Sequence, residues 1–271
     1  MSEGTAKSQA GSRAAKDFAP PGFKNIAPYI LVKGAAEFIE FLKAAFAGTE
    51  RIRVPQPDGS IMHAEVGIGD SVVELADANE QHPVRPTAVH LYVGDADATF
   101  ARAVSAGASV LQPVEDMPWG DRQGSVKDKF GNRWYVGMPQ GWKPGPEGMR
   151  SVQPYLHLRD AHKFIPFAEA VFGAVAEGVA TSEDGKVLHA TIRIGTGTLE
   201  IDEASEETAP SPCYLHVYVR DVDAAYARAM QAAATSVEAP NDKPYGERSA
   251  GIKDPFGNVW WAATYNGSPA S

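Results

Sequence analysis

Strand-like and helix-like periodicities follow one another along this chain in a fixed order. Residues 26–32 carry the period-two pattern of a strand. Over 35–46 the period becomes helical: Phe38, Ile39, Leu42, Ala45 and Phe46 share one face, with Glu37, Glu40 and Lys43 opposite. Three more strands are predicted near 49–54, 61–68 and 71–76, and Asp58-Gly59 marks the turn before the middle one. The order then starts again. A strand at 87–93 leads to a helix over 96–106, with Asp95 as its N-cap and Gly107 as its stop. Strands near 109–112, 123–128 and 132–137 follow. The turn Asp128-Lys-Phe-Gly-Asn132 joins the last two, with glycine supplying a positive φ.

This double βαβββ pattern returns 126 residues later. Glu74 recurs as Glu200, His63 as His189, His90 as His216, and Trp119-Gly-Asp-Arg122 as Tyr245-Gly-Glu-Arg248. The offset is constant, so element lengths are kept, and the period is far longer than a solenoid unit. The chain therefore reads as α+β, with two tandem domains of two βαβββ units each. The predicted divisions are a disordered arm over 1–22, a first domain over 23–138, a Pro/Gly-rich linker over 139–151 and a second domain over 152–265.

The 271 residues give each repeat enough chain to close its own core. A net charge of −9, without a Lys/Arg cluster, argues against a nucleic-acid partner. No apolar run is long enough to suggest a membrane span, and the first 22 residues lack the apolar stretch of a secretory signal. With a single cysteine, Cys213, read as a buried inert thiol, the expected location is the cytoplasm.

Strand alternation assigns faces. In 61–68, Met62, Ala64, Val66 and Ile68 form an apolar face, so His63 and Glu65 point the other way. In the second copy Leu188, Ala190, Ile192 and Ile194 are apolar and His189, Thr191 and Arg193 oppose them. Val73 and Leu75 leave Glu74 on the polar side; Val89, Leu91 and Val93 leave His90 and Tyr92 there. Grouped by repeat, one face collects Tyr29, His63, Glu65, Glu74, His90, Tyr92 and Tyr135. The other collects Gln153, Tyr155, His157, His189, Thr191, Arg193, Glu200, Tyr214, His216, Tyr218 and Trp261. Carboxylates and imidazoles among aromatic rings suit a ligand pocket.

The chain resembles the vicinal oxygen chelate superfamily of glyoxalase I, bleomycin-resistance proteins, fosfomycin-resistance enzymes and extradiol dioxygenases. The resemblance rests on Pro28-Tyr-Ile-Leu-Val32, the Phe-rich first helix, Asp58-Gly-Ser-Ile-Met-His-Ala-Glu65, His90-Leu-Tyr-Val93, Asp116-Met-Pro-Trp-Gly-Asp-Arg122 and Asp128-Lys-Phe-Gly-Asn-Arg-Trp134, each with a second version. Locally these stretches look most like the PhnB-like branch. The resemblance implies curled mixed sheets with helices on the convex side and function on the concave side. It also implies two repeats packed as an internal pseudo-dimer, or a homodimer.

Metal-using relatives take His or Gln, Glu, His and Glu from the first and last strands of each half. Carried over, Glu74 and Glu200 fall on the first Glu site and Gln153 on the first ligand site, where the other copy has Ala27. The His site falls on Ala88 and Tyr214, with His90 and His216 two residues further along; the last Glu site falls on Tyr135 and Trp261. Neither repeat has the full set. The implied divalent ion (Zn, Ni, Mn, Fe or Mg) would be held by Gln153, Glu200 and His216 in the second domain, before Glu74 and His90 in the first.

Two functions stay open. One is binding of a small organic molecule in the clefts. The other is a metal-dependent lyase or isomerase of the glyoxalase type, with Glu74 or Glu200 moving a proton next to a carbonyl. A scaffold with one inactive cleft is a third. Arg122 and Arg248 would clamp an anion or form salt bridges with Asp121/Glu247 or Asp128/Asp254; Trp119 and Tyr245 would cap the pocket or pack their loops. His82 and His162 read as surface residues.

Overall fold

The computed structural model describes residues 18–139 and 151–267. The first unit comprises β1 (Ile26–Val32), α1 (Ala35–Phe46), β2 (Thr49–Pro55), β3 (Ile61–Ile68) and β4 (Ser71–Asp77). The second comprises β5 (Ala88–Tyr92), α2 (Ala96–Ser105), β6 (Ser109–Asp116), β7 (Asp121–Lys127) and β8 (Arg133–Pro139). The third comprises β9 (Val152–Leu158), α3 (Ala161–Phe172), β10 (Val175–Thr181), β11 (Val187–Ile194) and β12 (Gly197–Glu203). The fourth comprises β13 (Tyr214–Tyr218), α4 (Val222–Gln231), β14 (Thr235–Lys243), β15 (Glu247–Lys253) and β16 (Val259–Tyr265). Of the predicted linker, Pro139 closes β8 and residues 140–150 lie outside the described residues, as do residues 1–17 of the predicted arm.

Local chemistry sets the helix ends. Asp95 and Asp221 accept hydrogen bonds from the backbone N–H of Ala98 and Ala224, each at 2.9 Å, and so cap α2 and α4. α1 and α3 have no such cap of their own. The backbone N–H groups of Gly34 and Ala35 instead donate to Asp77 at the end of β4, and those of Asp160 and Ala161 donate to Glu203 at the end of β12. Each of these helices is thereby tied to the last strand of its own unit.

The strands form two eight-stranded mixed sheets. Sheet A has the order β14-β15-β16-β13-β1-β4-β3-β2, and sheet B has β10-β11-β12-β9-β5-β8-β7-β6. Each sheet holds two βαβββ units, but the paired units come from different repeats. β1 runs antiparallel to β13, placing Ala27 opposite His216, and β5 runs antiparallel to β9, placing His90 opposite Gln153.

The apolar cores divide differently. One core draws almost wholly on the first repeat, with Phe38, Leu42, Val89, Leu91 and Trp134 at its centre. The other draws on the second, around Phe164, Leu199, Leu215 and Trp260. α1 packs on α2, and α3 on α4. So each repeat closes its own core, while the free edges of its first and fifth strands are paired by the other repeat. Met62 and Leu188 depart from the predicted core face: they are 57% and 59% exposed and belong to neither core.

The Gly-Asn turns form as expected. Asp128 accepts from the N–H groups of Phe130 and Asn132, the Asn132 amide and the Trp134 indole, all within 3.0 Å. Asp254 does the same for Phe256, Asn258 and Trp260. Gly131 and Gly257 take φ values of 97° and 93°, where a side chain would be strained. Cys213 is buried beside Asn258, and burial pushes its thiol well above the usual range.

Candidate functional site

The crossed pairing of strands regroups the polar residues. The cleft on sheet B unites Gln153, Tyr155, His157, His189 and Glu200 from the second repeat with His90, Tyr92, Asp121 and Tyr135 from the first. The cleft on sheet A unites Tyr29, His63, Glu65 and Glu74 with His216, Tyr218, Glu247 and Trp261. Grouping by repeat is therefore corrected: His90, Tyr92 and Tyr135 leave Glu74, and His216, Tyr218 and Trp261 leave Glu200.

Glu200 anchors cleft B. Its Oε2 accepts from His90 Nδ1 at 2.8 Å and its Oε1 accepts from the Tyr92 hydroxyl at 2.9 Å. His189 Nε2 lies 3.6 Å away. Burial pushes the Glu200 carboxyl up, but His90 and His189 together outweigh it and hold the group well below its usual range. In turn, the Glu200 carboxylate beside it raises the pKa of His189 above the ordinary histidine value. Tyr92 stacks on His90 with ring centres 4.0 Å apart, and Tyr135 and Tyr155 stand 6.2 and 6.4 Å from the same imidazole. Burial pushes the Tyr92 and Tyr155 phenols up, so both stay protonated. Beside them, His157 donates from Nδ1 to Asp202 at 2.7 Å and its Nε2 meets the Tyr135 hydroxyl at 3.2 Å.

Two polar atoms in this cleft, His90 Nε2 and Gln153 Oε1, are buried without a hydrogen bond to any described residue. They belong to residues directly opposite each other on β5 and β9. A buried polar atom left unpaired costs about 1–3 kcal/mol. Here two of them belong to one register pair in an aromatic setting, with His90 Nε2 turned toward Gly137 on β8.

Cleft A repeats the dyad and finishes it differently. His216 Nδ1 donates to Glu74 Oε2 at 2.8 Å, and His216 stacks on Tyr218 at 4.4 Å. Position 27 is alanine, where cleft B has Gln153. Glu247 replaces Asp121; its Oε2 lies 4.0 Å from His216 Nε2, and its Oε1 accepts from Tyr218 at 3.0 Å. Burial would lower the His216 pKa, but the charges of Glu74 and Glu247 prevail and raise it. Burial pushes the Glu247 carboxyl up. On the same face Tyr29 meets His63 Nδ1 at 3.3 Å, and Glu65 lies 3.6 Å from His63 Nε2. The imidazole nitrogen that has no hydrogen bond in cleft B thus lies 4.0 Å from a carboxylate oxygen in cleft A.

The remaining predicted residues separate into rim and scaffold. Trp119 and Tyr245 are 64% and 58% exposed in the turns before β7 and β15. Arg122 and Arg248 do not clamp a ligand. Arg122 donates to Asp97 at 2.6 and 2.8 Å and to Asp116 at 3.1 Å, and Arg248 binds Asp223 and Asp242 likewise. The salt bridges hold, but not with the acids expected. Arg193 pairs with Glu177 at 2.7 Å on the strand beside it. Tyr214 donates to the Pro83 carbonyl beneath Arg85. His82, expected at the surface, stands edge-on to Trp261 at 5.4 Å. Asp121, Asp202 and Glu247 were not assigned to the clefts. Period-two alternation through β7 and β15 places Asp121 with Gln123, and Glu247 with Ser249, and was the signal available.

The residues do not fit a catalytic divalent ion. Such an ion needs about three protein ligands and an open position. Of the expected set, His216 lies on sheet A bonded to Glu74, while Gln153 and Glu200 lie on sheet B. His90 takes its place, but Glu200 already spends one oxygen on His90 and the other on Tyr92. The donors bond one another instead of converging on a point. Glu74 and His90 are on different sheets. Among the described residues no group of three His, Cys, Asp or Glu side chains is placed to hold an ion.

Comparison with known proteins agrees with this architecture. The family model for the Glyoxalase/Bleomycin resistance protein/Dioxygenase superfamily matches residues 23–136 and 156–262. Glyoxalase I from Zea mays superposes with a TM-score of 0.69 at 16% identity, over 88% of this chain and 92% of that one, which is a likeness of fold. An uncharacterized protein of Mycobacterium tuberculosis is 37% identical over 147 residues, covering 50% of this chain and 84% of that protein. One from Mycobacterium bovis is 39% identical over 125 residues, covering 42% and 82%. No helix among the described residues is long and apolar enough to cross a membrane.

Proposed function

This chain belongs to the glyoxalase/bleomycin resistance protein/dioxygenase superfamily, and we propose that it binds a small organic molecule in the cleft of sheet B. The motifs look most like those of its PhnB-like branch. The observation that carries the reading is the pair of buried atoms without a hydrogen bond, His90 Nε2 and Gln153 Oε1, on residues paired across β5 and β9 beside Tyr92, Tyr135 and Tyr155. In the neutral tautomer whose Nδ1 donates to Glu200, Nε2 is an acceptor, and Gln153 Oε1 is an acceptor too. The ligand therefore brings hydrogen-bond donors, a hydroxyl or an N–H, on a flat or apolar body. Cleft A lacks the glutamine and faces its imidazole with Glu247, so the two clefts are not equivalent.

The same geometry favours one second reading. An imidazole oriented by a carboxylate, with its far nitrogen free, is built to take a proton. A ligand with an acidic C–H beside a carbonyl would then be a substrate, with His90 as the base and Glu200 fixing its tautomer. No metal enters this step.

The test is a thermal-shift screen of small organic molecules against the full chain, followed by calorimetry on each hit. Gln153→Ala is expected to weaken binding about tenfold, or ~1.4 kcal/mol, and Glu247→Gln in cleft A to leave it unchanged. Hits that ignore Gln153→Ala but are lost on Glu247→Gln would move the site to cleft A and refute the assignment.

A further inference from the structure

One groove lies beyond the two clefts and shares only His157 with cleft B. It has a volume of about 710 Å³, within the range of small-molecule sites, and runs between the start of α3, the 210–212 stretch and the turn before β16. Phe167, Phe256, Pro210 and Pro212 form its apolar walls. His157 closes one end, held by Asp202 and Tyr135.

The first repeat supplies an internal control. Two groove residues, Lys163 and Pro255, correspond at the 126-residue offset to Glu37 and Lys129. Glu37 and Lys129 form a salt bridge, and the Lys129 ammonium also sits 5.2 Å over the Phe130 ring. In the first repeat, then, a charged strut crosses the place where the second repeat is open. Both ends of the strut are changed in the second repeat, one to proline and one to the opposite charge, so it cannot form. Leu31, an apolar filler, is likewise replaced by His157.

The charges at the opening are Arg159, Asp160 and Lys163. Asp160 is paired with Lys163 at 3.1 Å. Arg159 is exposed and has no ion pair or hydrogen bond with any described residue. A guanidinium without a partner among the described residues thus stands at the mouth of a groove walled by two phenyl rings and prolines, in a chain whose net charge is −9. A guanidinium fork matches a carboxylate in two parallel hydrogen bonds.

We propose that this groove is a second binding site, beside the clefts, for a small aromatic carboxylate whose ring packs on the wall formed by Phe256, Phe167, Pro210 and Pro212 and whose carboxylate meets Arg159. The test is calorimetric titration of the full chain with 2-naphthylacetate and with its uncharged amide. One saturable site is expected for the acid, with the amide at least tenfold weaker. Arg159→Gln should weaken the acid about tenfold and leave the amide unchanged. Lys163→Glu with Pro255→Lys restores the residues of the first repeat and should abolish binding of both; its thermal melt shows whether the fold is kept. Absent binding to wild-type protein, equal affinity for acid and amide, or undiminished binding in a folded double variant would each overturn the proposal. Loss of naphthylacetate binding in Gln153→Ala would place the molecule in cleft B, which also overturns it while leaving the cleft reading standing.

Discussion

Glu200→Ala is expected to lower the stability of the chain by about 3–5 kcal/mol, the usual loss when one partner of a buried pair is removed. Glu200 is 1% exposed and holds both His90 and Tyr92, which are 6% and 9% exposed and lie on the other repeat. Without the carboxylate, His90 Nδ1 and the Tyr92 hydroxyl lose their acceptors, and His90 would have no partner at either ring nitrogen. Because the pair joins β5 to the β9–β12 half, the loss loosens the seam between repeats. Denaturant unfolding followed by tryptophan fluorescence reads the change, and an effect below about 1 kcal/mol would show that the seam does not depend on this group. The pH dependence has a definite sign. The Glu200 pKa is lowered on folding, from an unfolded value of about 4.3. Its contribution is therefore complete above that value and fades as pH falls through the lower folded pKa. The gap between wild type and Glu200→Gln should be full at neutral pH and shrink in acid.

The second large effect is expected at a turn. Asp254 accepts four hydrogen bonds, from two backbone N–H groups, the Asn258 amide and the Trp260 indole. Trp260 and Asn258 are fully buried, so water cannot replace the lost acceptor without opening the core. Each orphaned donor costs about 1–3 kcal/mol, and partial relaxation of the turn brings the sum to about 3–5 kcal/mol for Asp254→Ala. Asp128→Ala should do the same in the first repeat, where Asp128 serves Asn132 and Trp134. Asparagine cannot rescue either site, because its amide donors would point at donors. Thermal melts of the two single variants should show similar losses; a loss confined to one repeat would contradict the shared role.

Much of this architecture is written in local sequence. Asp95 followed by an apolar-periodic run gave the start of α2, and the Asp-x-x-Gly-Asn stretches gave their turns, because both depend on neighbours a few residues away. Alternation put His63, Glu74, His90 and their copies on the concave faces for the same reason. The pairing of units did not follow. Each unit presents the same free edge on its first strand, so a duplicated sequence pairs equally well within a repeat or across it. The choice is made by helix packing of α1 on α2 and α3 on α4, which turns those edges toward the other repeat. Hence Glu74 finds His216 and Glu200 finds His90, the reverse of the pairing by proximity in the chain. Arg122 is a smaller case. Its neighbour Asp121 points into cleft B because adjacent strand residues face opposite ways, and the arginine reaches Asp97 on α2 instead. His82, in a stretch with no periodicity, gave no signal of its contact with Trp261.

The crossed dyads carry the whole account of the site, and they make a direct prediction for histidine side-chain ¹⁵N–¹H NMR on the full chain. Glu200→Gln should shift the Nδ1 proton and nitrogen of His90 and leave those of His216 in place; Glu74→Gln should do the reverse. If His90 instead follows Glu74, and His216 follows Glu200, the clefts are built within the repeats and the account is wrong.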